Sequence, residues 1–217
     1  MKIVRSALRA VLAGLTLGIF FTAANAQNVL TGAADYWPFK EGNTWTLLTK
    51  VRDQQVDQVV TVVNIAKKDG KTEARLEYKF RQNGQTIQTE IYQSDSKSLS
   101  RIASGPNASG KISPPFPVVL YPLTDGKKWD WKGMITINGQ EFKGVSKQTA
   151  SGPENITSSA GTFKAMRVHV DLTVSSQGKD QKLINDYWFA PNVGLIKQKA
   201  TLGGVEFDCA LSSFKLK

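Results

Sequence analysis

The chain has 217 residues, with 28 Lys or Arg against 18 Asp or Glu, one His, one Cys and a formal net charge of +10. A lone cysteine excludes an intramolecular disulfide, so stability must come from a hydrophobic core, and this length is enough to bury one. The basic residues are scattered (Lys67-Lys68, Lys79, Arg81, Lys127-Lys128, Lys197, Lys199) rather than gathered in a stripe, which argues against a nucleic-acid partner.

The first residues read as a processing signal. Lys2, Arg5 and Arg9 form a positive n-region, Ala10 to Phe21 a short apolar run, and Ala24-Asn25-Ala26 a small-x-small cleavage pattern. Residues 1–26 are therefore expected to form a cleavable signal helix. Cleavage after Ala26 leaves 217 − 26 = 191 residues and a net charge of 25 − 18 = +7. The apolar run is too short for an ordinary membrane span, and no membrane span is expected in the mature chain. No cysteine follows it to carry a lipid anchor. Residues 27–35 are polar and small and are expected to be a flexible lead-in.

A turn pattern then occurs twice: Trp37-Pro38-Phe39-Lys40-Glu41-Gly42-Asn43-Thr44-Trp45 and Tyr121-Pro122-Leu123-Thr124-Asp125-Gly126-Lys127-Lys128-Trp129. Pro38 and Pro122 fix φ for a turn, and Gly42 and Gly126 supply a positive φ. Trp45 and Trp129 then open strands. After the first copy, Trp45 to Val51 and Val56 to Ile65 read as strands, and Asp69-Gly70 as a hairpin turn. Ala74, Leu76, Tyr78 and Phe80 alternate with charged residues, Asn83-Gly84 turns the chain, and Ile87 to Ile91 and Leu99 to Ile102 follow. Residues 104–117, rich in Pro and Gly, read as a connecting loop. After the second copy come Trp129 to Ile137, the Asn138-Gly139 turn and Gln140 to Ala150. A loop is expected over Ser151 to Gly161, then strands over Phe163 to Val174, Leu183 to Phe189, Leu195 to Leu202 and Val205 to Leu211.

Short turns between strands require antiparallel neighbours. The expected fold is all-β: a strongly curved antiparallel sheet, half-barrel or open barrel, of ten or eleven strands. Residues 36–217 form one β domain made of two repeated meander units, about 36–103 and 121–214.

The opening pattern, the Gly161-Thr162-Phe163-Lys164-Ala165 strand entry and the close Tyr187-Trp188-Phe189-Ala190-Pro191-Asn192-Val193-Gly194-Leu195-Ile196-Lys197 resemble a diffuse group of exported bacterial proteins of unknown function. In outline such proteins are similar to periplasmic lipoprotein carriers, whose curved sheet cups an acyl chain. The resemblance implies architecture, with Pro191 and Gly194 as further turn residues, more than it implies activity.

No catalytic constellation is marked. His169 shares a strand face with Arg167 and Asp171, with no Ser or Cys nucleophile beside it in sequence, and reads as an exposed strand residue. Cys209 shares a face with Val205, Phe207 and Leu211 and reads as a small buried hydrophobe. One His and one Cys do not make a zinc site, and no phosphate loop or calcium loop occurs, so neither metal nor cofactor is expected. Asn107-Ala108-Ser109 and Asn155-Ile156-Thr157 match glycosylation acceptors. Trp37, Trp45, Trp129, Trp131 and Trp188 all lie near the turn motifs, and a curved sheet offers them a concave face as an aromatic ligand-binding set. The sequence thus points to a periplasmic or secreted non-catalytic protein that binds or carries an apolar or amphipathic ligand, a lipid among the candidates. An envelope interaction or assembly factor docking a protein partner is the second reading, and an exported hydrolase the third.

Overall fold

The computed structural model describes residues 36–217; the signal segment and the lead-in, residues 1–35, lie outside the described residues. Twelve strands follow in order: β1 (Thr44–Val51), β2 (Gln54–Lys68), β3 (Lys71–Phe80), β4 (Thr86–Ser94), β5 (Ser98–Ser104), β6 (Gly110–Leu120), β7 (Lys128–Ile137), β8 (Gln140–Ser158), β9 (Gly161–Ser176), β10 (Lys179–Ala190), β11 (Gly194–Leu202) and β12 (Val205–Lys215). Each pairs antiparallel with the next, and β1 pairs with β12 from Thr44↔Lys215 to Val51↔Phe207, so the sheet closes into a barrel. The all-β, strongly curved antiparallel sheet expected from the sequence is present, with its curvature carried to full closure. Closure pairs the first and last strands, which otherwise would be free edges.

Local chemistry sets the turns. Asp69-Gly70, Asn138-Gly139, Gln177-Gly178 and Gly203-Gly204 all have both residues at positive φ, which is the two-residue turn that matches strand twist. These turns and the 52–53 link keep successive strands in register. Gly42 and Gly126 lie at φ 84° and 74°, as the repeated motif requires.

Two stretches expected to be loops are strands. Residues 104–117 contain a 3₁₀ turn (Pro106–Ala108) and most of β6. Pro114, Pro115 and Pro117 carry no N–H, so β6 pairs with β7 only from Lys111↔Thr136 to Ser113↔Met134. Side chains bridge the rest of this seam: the indoles of Trp129 and Trp131 donate to the carbonyls of Pro117 (3.2 Å) and Pro114 (3.1 Å). Residues 151–158 continue β8, and Gly152-Pro153 is absorbed as a bulge between Ser151 and Glu154. The strand count is accordingly twelve.

Because the strands alternate in direction, the two ends of the barrel differ. The residues before β1, the 121–127 link and the 191–193 turn gather at one end. Tyr36, Trp37 and Phe39 fold over that end as a plug. Tyr36 stacks on Tyr121 at 6.1 Å, and Trp37 meets Phe39, Trp45, Tyr92 and Phe189 at 5.1–6.1 Å between ring centroids. The opposite end carries the Asn138-Gly139, Gln177-Gly178 and Gly203-Gly204 hairpins, while the Asp69-Gly70 hairpin lies at the plugged end.

Inward positions alternate with outward ones. Leu47, Val60, Val62, Leu76, Leu99, Val118, Val168, Val170, Phe189 and Leu211 are buried. Trp131 lies over Gly133 and Gly144, where any side chain would collide with its ring. The outer wall is charged, for example Glu73, Arg75, Glu77 and Lys79 on β3 and Arg167, His169 and Asp171 on β9. Among the described residues, no helix is long and apolar enough to cross a membrane.

Candidate functional site

The lumen between β3–β5 and β10–β12 is not filled. A cavity of ≈ 360 Å³ lies there, bounded by Trp37 at the plugged end and by Leu202 and Phe207 toward the hairpin end. Leu202 is one of the few large apolar side chains left exposed, which marks where the cavity reaches solvent.

Strand register orders the lining by depth. Leu183 pairs with Leu202, and Ala200 pairs with both Asn185 and Phe207, so Leu183 and Leu202 make the outer layer of an apolar rim and Ala200 and Phe207 its inner layer, level with Asn185. Two residues deeper on β10 comes Asn185, then Tyr187, and Tyr187 pairs with Gln198. From the facing wall, Tyr78 on β3, Glu90 and Tyr92 on β4 and Arg101 on β5 point into the same level. Below them Trp37 closes the floor. The lining is therefore apolar at the rim, polar at mid-depth and aromatic at the base.

The polar belt is a connected network. Glu90, only 5 % exposed, accepts hydrogen bonds at Oε2 from the hydroxyls of Tyr78 (2.7 Å) and Tyr92 (2.8 Å). Its Oε1 lies 3.4 Å from Arg101 Nε. Arg101 donates through Nη2 to Tyr92 Oη at 3.0 Å, and its guanidinium sits 5.4 Å from the centre of that ring. Across the lumen, Asn185 Nδ2 donates to Tyr187 Oη at 2.8 Å, leaving Asn185 Oδ1 buried with no protein partner.

Burial pushes the Tyr78 hydroxyl well above its usual range, and the charge of Glu90 adds to this. Tyr92 moves the same way through burial, partly opposed by Arg101 and reinforced by Glu90. Burial works against the Arg101 charge, but Glu90 and the surrounding tyrosines more than offset it and hold the guanidinium firmly protonated. A buried charge persists when it is paired and hydrogen-bonded, and this pair is both.

The five tryptophans do not converge on this cavity. Trp37 lines it. Trp45 packs edge-on behind Trp37 and donates to Val193 O at 2.6 Å. Gly194 makes that clamp feasible, since its missing Cβ is where the Trp37 and Trp45 indoles approach. The Pro191–Gly194 close is thus the seat of the first motif's tryptophans. Trp129 and Trp131 belong to the β6–β7 seam. Trp188 alternates with the inward Tyr187 and Phe189 and faces the outer wall, where its Nε1 donates to Glu154 (2.6 Å) and Arg167 and Lys197 cover the ring. Pro38, Gly42, Pro122 and Gly126 shape the plugged end.

Glu90 and Arg101 lie between the two repeated turn motifs, at least 20 residues from either, and only the shared inward phase of Gln88, Glu90 and Tyr92 marked a charged residue facing the core. The histidine lies on the outer strand face, as expected, and its partner comes from the neighbouring strand. His169 Nδ1 lies 2.8 Å from Asp186 Oδ1, to which Arg167 also donates, while Asp171 pairs with Lys182 at 3.0 Å. Thr149 stands opposite His169 on β8, giving an Asp186-His169-Thr149 row across three strands. That row lies on the outer wall, away from the cavity. Cys209 is buried as expected, and burial pushes its thiol up to about 11. Among the described residues, no group of three or more His, Cys, Asp or Glu is placed to hold a metal ion.

Residues 125–201, spanning β7 to β11, match the DUF3108-like family. No curated protein sequence matches the chain. Two solved structures share its fold. One is a Bacteroides fragilis protein described as exported and of YmcC-like fold, with a TM-score of 0.58 and 15 % identity over 84 % of this chain and 99 % of the other. The second is a Parabacteroides distasonis protein described as a lipoprotein, with a TM-score of 0.59 and 14 % identity over 83 % and 99 % of the two chains. At these identities the likeness is one of architecture: the chain is similar to a DUF3108-like segment within a YmcC-like barrel.

Proposed function

We propose that this protein is an exported, non-catalytic binding or carrier protein that holds a single small apolar or amphipathic ligand in its barrel lumen. The observation that carries the reading is the open cavity of ≈ 360 Å³, with its apolar rim and hydrogen-bonded mid-depth belt. Natural barrels of smaller girth fill their interior with side chains, and ligand sites occupy roughly 300–1,000 Å³, so this volume suits one small molecule or one chain of a lipid. Export is supported by the n-region, apolar run and Ala24-Asn25-Ala26 of the sequence, and by the descriptions of the two similar structures. The belt contains charges but no nucleophile-base pair aimed at open space, which favours holding over conversion.

Native mass spectrometry of gently purified mature protein tests this directly, together with uptake of Nile red. Binding predicts a co-purified or acquired small molecule. It also predicts that Ala200→Trp, which fills the rim, abolishes Nile red fluorescence enhancement while leaving the barrel's circular dichroism unchanged. A parent protein that neither carries a ligand nor takes up the probe would overturn the reading.

A further inference from the structure

The belt also constrains the chemistry of what is bound, and this step rests on the lumen being the binding site. Two of the lining residues are charged, Glu90 and Arg101, and they are of opposite sign and paired. The belt is therefore electrically neutral before anything enters it. A carboxylate or phosphate drawn to Arg101 would be a second anion beside Glu90, stripped of water and with no surplus cation to meet it. Arg101 is also already engaged, through Nε and Nη2, with Tyr92 and Glu90.

The polar atom left over points the same way. Asn185 Oδ1 is a buried acceptor with no partner, in a residue 5 % exposed. An unmet buried acceptor favours a ligand that brings a donor. A carboxylate brings none and would place its lone pairs against those of Asn185. A hydroxyl or a primary amide brings an O–H or N–H together with an acceptor that the Tyr187 hydroxyl, which accepts from Asn185 and keeps its own proton to donate, can meet. We infer that the lumen selects an apolar molecule bearing an uncharged hydrogen-bond donor, an alcohol or amide, over its carboxylate counterpart. Its apolar part lies along Leu183, Ala200, Leu202 and Phe207, and its polar end reaches the Asn185–Glu90 level.

Matched probes of one chain length separate the cases: dodecanol, dodecanamide and dodecanoate, each competed against bound Nile red at neutral pH. The expected result is that dodecanol and dodecanamide displace the probe at concentrations at least about tenfold lower than dodecanoate, a free-energy gap of about 1.4 kcal/mol. The variant Glu90→Gln leaves Arg101 with an uncompensated charge, so in it the order should invert and dodecanoate should become the strongest competitor. Equal or tighter binding of dodecanoate by the parent protein overturns the inference while leaving the binding function intact. An unchanged order in a folded Glu90→Gln protein also overturns it. If Nile red binds and none of the three displaces it, this inference alone falls; if the parent protein neither takes up Nile red nor carries a co-purified ligand, the binding function itself falls and this inference with it. Should Glu90→Gln fail to fold, the parent comparison alone decides.

Discussion

The β6–β7 seam is where the barrel departs most from a regular ladder, and Trp131→Phe probes it. Pro114, Pro115 and Pro117 give β7 no N–H, and the ladder stops at Ser113↔Met134. The Trp131 indole, 5 % exposed, instead donates to Pro114 O at 3.1 Å while its ring covers Gly133 and Gly144. Phenylalanine keeps an aromatic ring but removes the donor. Losing the bond costs about 1 kcal/mol, and stranding the carbonyl raises that toward ~2. The void left by the missing part of the indole, a few tens of Å³ at ~24 cal/mol per Å³, adds about 1 kcal/mol. The expected total is about 2–3 kcal/mol, a substantial part of a usual ~5–15 kcal/mol stability. Urea denaturation followed by far-ultraviolet circular dichroism measures it without relying on tryptophan emission. Hydrogen exchange should show the amides of Met134 and Ile135 losing protection before those of β1 and β12. A Trp131→Phe protein that loses less than about 0.5 kcal/mol, with seam protection unchanged, would refute the claim that indoles hold this seam.

Tyr78 and Tyr92, both held well above their usual range chiefly by burial, should stay silent in a native phenolate titration carried past pH ~10. Since the unfolded chain loses these protons near pH ~10 and the folded chain still holds them, stability should fall as pH rises past that point; ionisation of Tyr78 or Tyr92 at that pH in the folded protein would contradict the buried belt. Cys209, with its thiol pushed up to about 11 by burial, should react with a disulfide reagent at mildly alkaline pH at least ~100-fold more slowly in native than in denatured protein. Gly194→Ala should destabilise by more than about 2 kcal/mol, combining strain at φ 107° with a Cβ only 2.8 Å from Trp37 Cδ1, and a neutral effect in thermal melts would remove the clamp between the two motifs.

How much of this was legible depended on range. Period-two alternation and Asp-Gly or Asn-Gly turns act between neighbours, so β3, the hairpins and the antiparallel order could be read from the chain. Closure could not, because β1 and β12 meet from opposite ends of the sequence and no local pattern records it. Proline misled in β6 for a physical reason: a strand missing its N–H groups on one side survives when side chains replace them, and Trp129 and Trp131 do so. The candidate site was the least legible part. Tryptophans were conspicuous, yet four of the five serve walls and seams, while the belt is built from Glu90, Arg101, Tyr78 and Asn185 on four separate strands. A charged residue in inward phase was the available signal, and Glu90 between Gln88 and Tyr92 carried it.

The two turn motifs do more than look alike. Gly42 N donates to Val62 O (2.8 Å), Val62 N to Asn43 O (3.0 Å) and Asn43 N to Lys40 O (2.9 Å). In the second copy Gly126 N donates to Ala150 O (3.0 Å), Ala150 N to Lys127 O (2.8 Å) and Lys127 N to Thr124 O (3.2 Å). Trp45 and Trp129 are each the second residue of their strand, and these strands, β1 and β7, stand six apart in a ring of twelve. We propose that the barrel is a duplicated six-strand unit, β1–β6 and β7–β12, with residues 36–43 and 121–127 in equivalent places. Gly42→Ala and Gly126→Ala test the equivalence, since both glycines sit at positive φ. A Cβ on Gly126 meets nothing within 4 Å, and one on Gly42 meets the flexible end of Lys217, which can move aside. Backbone strain is then the common term, and each variant should lose about 1–2 kcal/mol in urea denaturation. Equal losses support equivalent turns. If one substitution costs that much and the other nothing, the motifs do different work and the duplication reading fails.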